Sequence, residues 1–411
     1  MILSPIQRYD DYEQVLFCQD RKTGLKAIIA LHDTSLGNAI GGCRMWPYAS
    51  TQDALIDALR LAKGMSYKCA MADLEVGGGK SVIIGDPRTD KTPQLLQAMA
   101  EKINQTAGQY VAAEDSGTTV RDMKIMQLHS PYIGGTTAVS GTLWQSNFGD
   151  PSPATAYGVF IGIKACAKAR FGSEDLNGLR VNIQGLGSVG YRVAEQLAEA
   201  GAKLFVYDIN SELVQRAVTM LGAKALDAEK IISNKADIFC PCAHGAVIND
   251  DTVDLLDVKI VAGAANNQLA RPEQGRRLFE RGILYAPDFV INAGGIIEVA
   301  LGKQGYPGQA ISDKVVNIKN SLAQIFECSE LQHKAPFYIA EMLAIEKITK
   351  ARARKMDTQT APVHSNTSTD KNKLTSADTA AAKAAASRSD IANASNAIQQ
   401  VAERFKVPHP C

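Results

Sequence analysis

A strand pattern, a glycine turn and a helix pattern in immediate succession limit what this chain can fold into more than any other feature. Residues 179–183 read as a strand, Gly185-Leu186-Gly187-Ser188-Val189-Gly190 follows, and residues 188–200 read as a helix that stops at Gly201. Lys203-Leu-Phe-Val-Tyr207 then reads as a second strand ending at Asp208. The spacing G-x-G-x-x-G alone is weak, because glycine turns are common; the flanking elements give it meaning. In such a unit the first glycine makes the tight turn, the second lets backbone approach a pyrophosphate, and the third lets the helix pack close to the sheet. The helix N-terminus adds unpaired N–H groups and a positive dipole end. The run 185–190 is therefore a candidate dinucleotide site. Asp208, 18 residues past the last glycine, would accept hydrogen bonds from the adenosine ribose and repel a 2′-phosphate, favouring NAD over NADP. The plain alternative is a βα turn with Asp208 opening the next turn.

The rest of the chain fits a two-domain α/β protein. At ~150 residues per domain, 411 residues suggest two or three domains. Residues 26–31 and 81–84 read as strands, and 51–63 as a helix with Leu55, Leu59 and Ala62 on one face and Ser50 or Thr51 as N-cap. A second α/β region opens near Asn147, with a helical pattern over 154–169 and further short strands at 236–239 and 259–262 that continue a parallel sheet. Beyond Met356 the composition turns to Thr, Ser, Asn, Asp and Lys, which reads as a disordered tail over 357–411. Within it a possible helix, 377–405, carries Ile391, Ala394, Ile398, Val401 and Phe405 on a narrow apolar stripe, either solvated or docking on a partner.

Several function classes are disfavoured. Forty-four Lys+Arg balance 43 Asp+Glu, so bulk charge attracts neither nucleic acid nor anionic lipid. No signal peptide and no apolar run of ~20 residues is visible, which points to a cytoplasmic protein with no membrane span. Eight cysteines show no CxxC spacing, and HExxH is absent, so no metal site is expected. Cys240 and Cys242, separated by one proline, read as reduced core residues.

Three further stretches carry chemistry: Met65-Ser-Tyr-Lys68, Gly77-Gly-Gly-Lys80 and Ala113-Glu-Asp115. A phosphate-loop reading of Gly79-Lys80-Ser81 fails, because Leu74 stands where that motif needs glycine. Two lysines and a carboxylate near a dinucleotide fingerprint suit hydride transfer on an amino acid. One cation holds the carboxylate, one amine activates water, and one carboxylate moves protons on and off nitrogen. A second cation nearby would lower the catalytic lysine's pKa.

Longer stretches add a resemblance. Val15-Leu-Phe-Cys-Gln-Asp20, Gly41-Gly-Cys-Arg-Met-Trp46, Gly77-Gly-Gly-Lys-Ser-Val-Ile-Ile-Gly-Asp-Pro87, Ala113-Glu-Asp-Ser-Gly-Thr-Thr119, Gly263-Ala-Ala-Asn-Asn-Gln-Leu269 and Tyr285-Ala-Pro-Asp-Phe-Val-Ile-Asn-Ala-Gly-Gly295 resemble the Glu/Leu/Phe/Val dehydrogenase family, most closely its leucine dehydrogenase branch, over roughly residues 10–350. The resemblance implies an α/β fold of two domains. A substrate-binding and oligomerisation domain covers 1–146, with helices returning at about 334–356; a Rossmann-type NAD-binding domain covers 147–333; the cleft lies between. It implies reversible oxidative deamination of a branched-chain L-amino acid to the 2-oxo acid, ammonia and NADH, in a homo-oligomer, octamer or dimer.

By the same resemblance Lys68 binds the substrate carboxylate with Gly41 and Met65 beside it, Lys80 activates water, and Asp115 is the proton-transfer partner. Thr155 falls on a nicotinamide-contacting threonine, and Asn266 and Asn267 lie near nicotinamide and substrate. Ile40, Ala113, Ile296 and Val299 fall on the side-chain pocket, and their uncharged character suits an aliphatic substrate. Gly41-Gly-Cys43-Arg44, Lys68-Cys-Ala70 and Gln184-Gly-Leu-Gly-Ser-Val-Gly-Tyr191 are also similar to phenylalanine dehydrogenases, so a phenylalanine- or tryptophan-preferring enzyme is the alternative substrate reading. Three departures stand out: a lengthened segment at 134–147, Glu298 between two pocket positions, where it would face solvent or alter substrate range, and His244 in place of a leucine. The altered segment and the tail motivate a different class, a non-catalytic NAD-binding sensor that recruits a partner through its tail.

Overall fold

The computed structural model describes residues 12–144, 149–243 and 245–360, with 357–360 described by backbone alone. Two sheets organise the described residues. The first is built from β1 (Gln14–Asp20), β2 (Leu25–Asp33), β3 (Ala39–Trp46), β4 (Gly77–Ile84) and β5 (Tyr110–Glu114), in the order β1-β2-β4-β3-β5. β2 runs antiparallel to β1 and β4, whereas β3 is parallel to β4 and β5. Helix α1 (Thr51–Met71) packs Ala54, Ala58 and Ala62 against Ile28, Ala30 and Val82 on one face. On the other face α2 (Pro93–Asn104) and α3 (Val120–Gln127) cover Ile29, Leu31, Met45 and Ile83 with Leu96, Met99 and Met123. Burying each large aliphatic side chain contributes about 1.5–3 kcal/mol, and the strand pattern alternates because successive side chains serve opposite faces.

The second sheet contains β6 (Arg180–Gln184), β7 (Lys203–Tyr207), β8 (Lys224–Ala225), β9 (Ile238–Pro241), β10 (Ile260–Val261) and β11 (Leu284–Tyr285), all parallel, in the order β11-β10-β9-β6-β7-β8. Read from β8 this is the doubly wound order 3-2-1-4-5-6, whose strand order reverses between β6 and β9. Helix α4 (Ser152–Phe171) enters this half, and α5 (Ser188–Glu199), α6 (Ser211–Leu221), α7 (Lys230–Ser233) and α8 (Pro272–Glu280) link its strands. Then follow α9 (Asp288–Ile291), α10 (Gly294–Lys303), α11 (Gly308–Val316), α12 (Ile318–Gln332) and α13 (Pro336–Thr360). α13 returns to the first sheet's side, where Arg352 pairs with Asp33 and Lys347 with Asp73.

Two expectations change. The helix expected over 51–63 continues to Met71, with Ser66 pressed against Gly78 of β4 and Gly64 on an open side, where a Cβ would meet nothing within 4 Å. The glycine run 77–79 is itself strand, so β4 begins four residues before Ser81. Its glycines permit that approach: a Cβ on Gly78 would stand 2.0 Å from the Ser66 nitrogen, and one on Gly79 would stand 2.8 Å from the Tyr110 ring. The described part of the lengthened segment, 134–144, lies along α4 and α11, with Trp144 stacked on Tyr157 at 5.5 Å and Leu143 N donating to Ser312 Oγ at 2.9 Å. Residues 145–148, His244 and the stretch 361–411 with its candidate stripe lie outside the described residues. α13 itself runs through Thr360, past the change in composition.

Candidate active site

The site begins inside β3 and β4 and at the carboxyl end of β5. Lys80 in β4 is buried, and its Nζ meets Asp115 Oδ2 at 2.7 Å, one residue beyond β5. The same oxygen accepts Arg44 Nε at 3.0 Å, and Arg44 also pairs with Asp57 of α1 at 2.9 Å. Burial opposes ionisation of Asp115, but the Lys80 and Arg44 charges win and hold its carboxyl below the usual carboxylate range. Gly42 leaves the room for this pair: a Cβ there would stand 2.6 Å from Asp115 Cβ and 2.8 Å from Lys80 Nζ. Gly41 is equally constrained, by the Gly79 carbonyl oxygen at 1.8 Å.

Lys68, in the last turn of α1, reaches across to the second half of the molecule, donating to Asn266 Oδ1 at 3.2 Å. Burial brings its ammonium down to about 8, against the pull of Asp288 and with help from the Lys80 charge. Asn266 Oδ1 also accepts Asn292 Nδ2 at 2.7 Å. Asp288 at the start of α9 accepts the Asn267 backbone N–H and, at 3.3 Å, the Tyr285 hydroxyl. Burial raises the Asp288 carboxyl, with Lys68 acting in the opposite sense. Asn267 holds φ +52°, and its backbone N–H makes the contact with Asp288.

These groups share one cavity of about 280 Å³. Gly41, Met65, Lys68, Lys80, Ala113 and Asp115 line it from the first half; Thr155, Val189, Asn266, Asn267, Ile296 and Val299 line it from the second. Ile40 does not: it is buried beneath, at 3% exposure, in the apolar cluster that also holds Ala113 and Val299. Glu298 is corrected too. It is buried rather than solvent-facing, and lines a second cavity of about 200 Å³ that shares Gly135, Gly149 and Val299 with the first. Residues that sequence reasoning did not single out are Arg44, Glu114, Asp288 and Asn292, all on the cavity wall. Arg44 and Asp288 stand inside stretches that carried the resemblance, and a charged residue amid apolar and glycine neighbours was the available signal. Glu114 stands in such a stretch too, beside Asp115: burial, then the charges of Asp150 and Asp115, raise its carboxyl to about 7.

Of the fingerprint, only Val189 reaches this cavity; Gly185, Leu186, Gly187, Ser188 and Gly190 lie in the β6–α5 turn and the start of α5 at the switch point, and Asp208 adjoins them just past β7. Gly185 has φ +99°, and a Cβ there would stand 2.7 Å from Ala243 N. A Cβ on Gly187 would meet nothing within 4 Å, so the backbone is open to a ligand, and Gly187 caps α5 without a side-chain hydrogen bond. Gly190 packs α5 onto the sheet, 2.1 Å from Gly185 O by the same measure. The donor set and open space fit a dinucleotide pyrophosphate. Asp208 Oδ2 accepts Leu186 N at 2.6 Å and Oδ1 accepts Asn210 N at 2.8 Å, so the carboxylate braces the turn it adjoins.

Comparison with known proteins agrees with this geometry. The model for the Glu/Leu/Phe/Val dehydrogenase dimerisation domain matches residues 12–131, and that for glutamate/leucine/phenylalanine/valine dehydrogenase matches 150–217 and 208–356. The chain belongs to the Glu/Leu/Phe/Val dehydrogenase family. It is an amino acid dehydrogenase, an oxidoreductase acting on a CH–NH2 group, in a family that is NAD(P)-dependent. It is 48% identical to the leucine dehydrogenase of Bacillus subtilis (strain 168), over 84% of this chain and 94% of that one. It is 45% identical to the phenylalanine dehydrogenase of Bacillus thermotolerans, over 85% and 91%. The crystal structure of L-tryptophan dehydrogenase from Nostoc punctiforme superposes with a TM-score of 0.71 at 38% identity, covering 84% of this chain and 98% of that one. No helix among the described residues is long and apolar enough to cross a membrane, and no group of three or more His, Cys, Asp or Glu among them could hold a metal ion.

Proposed function

We propose that this family member catalyses the NAD-dependent, reversible oxidative deamination of a branched-chain L-amino acid, leucine with valine and isoleucine, to the 2-oxo acid, ammonia and NADH. The observation that carries the reading is a single cavity with Lys68, Lys80 and Asp115 on one wall and Ala113, Ile296 and Val299 on the side-chain wall. NAD held at the β6–α5 turn would supply the acceptor for the hydride that leaves the substrate Cα. Lys68 holds the substrate carboxylate, with Gly41 and Met65 beside it. In its neutral form Lys80 Nζ takes a proton from the water that adds to the imine carbon, and Asp115, held ionised in the resting site by the Lys80 and Arg44 charges, exchanges a proton with the substrate nitrogen. Thr155 and Asn266 border the nicotinamide, Asn267 borders the substrate, and the turn 185–190 with Asp208 holds the remainder of NAD. Asp208 supports NAD over NADP, because a 2′-phosphate would meet a carboxylate.

The reading includes a homo-oligomer, octamer or dimer, supported by the dimerisation-domain match over 12–131, and a division into 1–146 with 334–356 and 147–333. It also includes a cytoplasmic, reducing setting, supported by seven free thiols among the described residues. An aromatic substrate is the second reading, favoured by the likeness to phenylalanine and tryptophan dehydrogenases.

The test follows NADH absorbance with NAD and leucine, valine, isoleucine, phenylalanine or tryptophan in turn. Fastest turnover with a branched-chain substrate is the expected result. Fastest turnover with an aromatic one keeps the mechanism and overturns the pocket reading. NAD binding without turnover on any of them leaves the sensor.

A further inference from the structure

Cys240-Pro-Cys242 stands at the switch point of the second sheet, where the carboxyl ends of β6 and β9 diverge and where a dinucleotide of the kind proposed above would cross. The two sulfurs lie 3.6 Å apart. Cys240 is fully buried within β9, paired with Ile183 of β6, whereas Cys242 lies just past the strand and is half-buried. Two contacts tie Cys242 to the fingerprint. Its N–H donates to Gln184 O, the residue before the turn, at 2.7 Å. A Cβ on Gly190 would stand 2.9 Å from Cys242 Cβ, and Ala243, next along, fills the same role beneath Gly185 at 2.7 Å. Residues 242 and 243 are thus the floor on which the first and third glycines rest.

The thiols differ as a resolving pair should. The hydrogen bond from Cys240 draws the Cys242 thiol below its ordinary value, against burial, and the same bond together with burial raises Cys240. A disulfide needs its sulfurs about 2.05 Å apart, so closure requires a movement of about 1.5 Å. Cys240 is clamped inside a parallel sheet, which leaves Cys242 to move and the glycine turn to move with it.

We propose that Cys240 and Cys242 form a reversible disulfide under peroxide, and that this bond closes the dinucleotide site by displacing the floor of the β6–α5 turn. The inference rests on the dinucleotide reading of that turn. The Cys242 thiolate attacks one peroxide oxygen, the O–O bond breaks, and the departing hydroxide takes a proton to become water, leaving a sulfenic acid. Cys240 sulfur then attacks the sulfenic sulfur; the S–S bond forms, the S–O bond breaks, and the hydroxyl leaves with the Cys240 proton as a second water. Two thiols lose two electrons in all and one peroxide is reduced to two waters. A disulfide of this kind in a reducing compartment is transient and sensing rather than structural.

The experiment uses the full chain, reduced and desalted, then treated with hydrogen peroxide, with NADH affinity read by fluorescence titration and bridges located by peptide mass mapping. The expected result is a Cys240–Cys242 bridge, NADH affinity weakened at least tenfold, and recovery with dithiothreitol. The variant Cys240→Ala, with its reduced affinity unchanged, should show no dithiothreitol-reversible loss. A bridge that forms without changing affinity, a loss that persists in Cys240→Ala, or no bridge at all would overturn the proposal. The wild-type cycle of oxidation and reduction decides between these even if the variant fails to fold. Reduced wild-type protein that binds no NADH would instead overturn the dinucleotide reading, and the switch with it.

Discussion

Inside β3 and β4, just past β5 and on α1, the chain links Lys80, Asp115, Arg44 and Asp57 in one series of ion pairs, whereas at the β6–α5 turn it gathers backbone and open space. The first region is a set of charges whose partners are already protein; the second is a set of N–H groups and a gap around Gly187. Chemistry on a small substrate needs groups with fixed protonation and position, which ion pairs supply at the cost of desolvation. Holding a long, charged cofactor needs close approach and a helix dipole, which glycine supplies by lacking a side chain. Glycines occur in both places with different tasks. Gly42 makes room for the Lys80–Asp115 pair inside the protein, and Gly187 leaves open space outside it.

The largest expected effect tests the charged region. Lys80→Ala should lower kcat by roughly a hundredfold to ten-thousandfold, the range for a positioned acid or base, while NADH affinity measured by fluorescence stays within about twofold. Equal losses of turnover and cofactor binding would erase the distinction between the regions.

Gly187→Ala is the counterpart. Because its Cβ would meet no protein atom within 4 Å, thermal stability should change by less than about 1 kcal/mol, yet the KM for NAD should rise about tenfold or more. An unchanged KM would mean that the gap serves no ligand.

A smaller effect concerns Lys68, whose ammonium titrates near 8. Below that pH it carries the charge that its proposed role on the substrate carboxylate needs; above it the charge is lost. The KM for the amino acid should therefore rise severalfold from about one half-unit below that value to about one unit above it, since the charged fraction falls by at most about tenfold per pH unit. Steady-state kinetics across that interval would reveal a flat profile if Lys68 plays no such part.

The smallest is a stability effect at Glu114. Its folded value of about 7 lies above the ordinary 4.5, so ionisation costs stability progressively as pH rises through that interval, and the cost is complete above it. Glu114→Gln should match the wild-type Tm below pH 4.5 and exceed it by a few degrees above pH 7. Melting curves at both ends would detect the opposite ordering.

Much of the second sheet was legible because its signal is local. Residues 179–208 carry strand, turn, helix and strand in one stretch, and β7 falls on the five residues expected. The first sheet was less legible, since β4 hides its start behind three glycines whose neighbours, Asp33, Ser66 and Tyr110, are distant in sequence. The candidate site divides in the same way. Lys68, Lys80 and Asp115 were visible as charges among glycine and apolar residues, while the pairing of Asp115 with Arg44, the Asp288–Asn267 contact and the burial of Glu298 were not.

By itself the sequence determined the alternation of elements, the glycine turn with Asp208 beyond it, and the inventory of charged groups available for chemistry, because these depend on residue type and spacing within a few turns of chain. Only the tertiary structure decided which groups meet. Lys68 lies 198 positions from Asn266, and Lys80 meets Asp115 only because β4 and β5 flank β3. Strand order, set by which faces can be buried together, brought Ile296 and Val299 of α10 to the cavity that Ala113 also lines and took Ile40 beneath it. Contacts of that range are fixed by packing the whole chain at once, which no local pattern encodes.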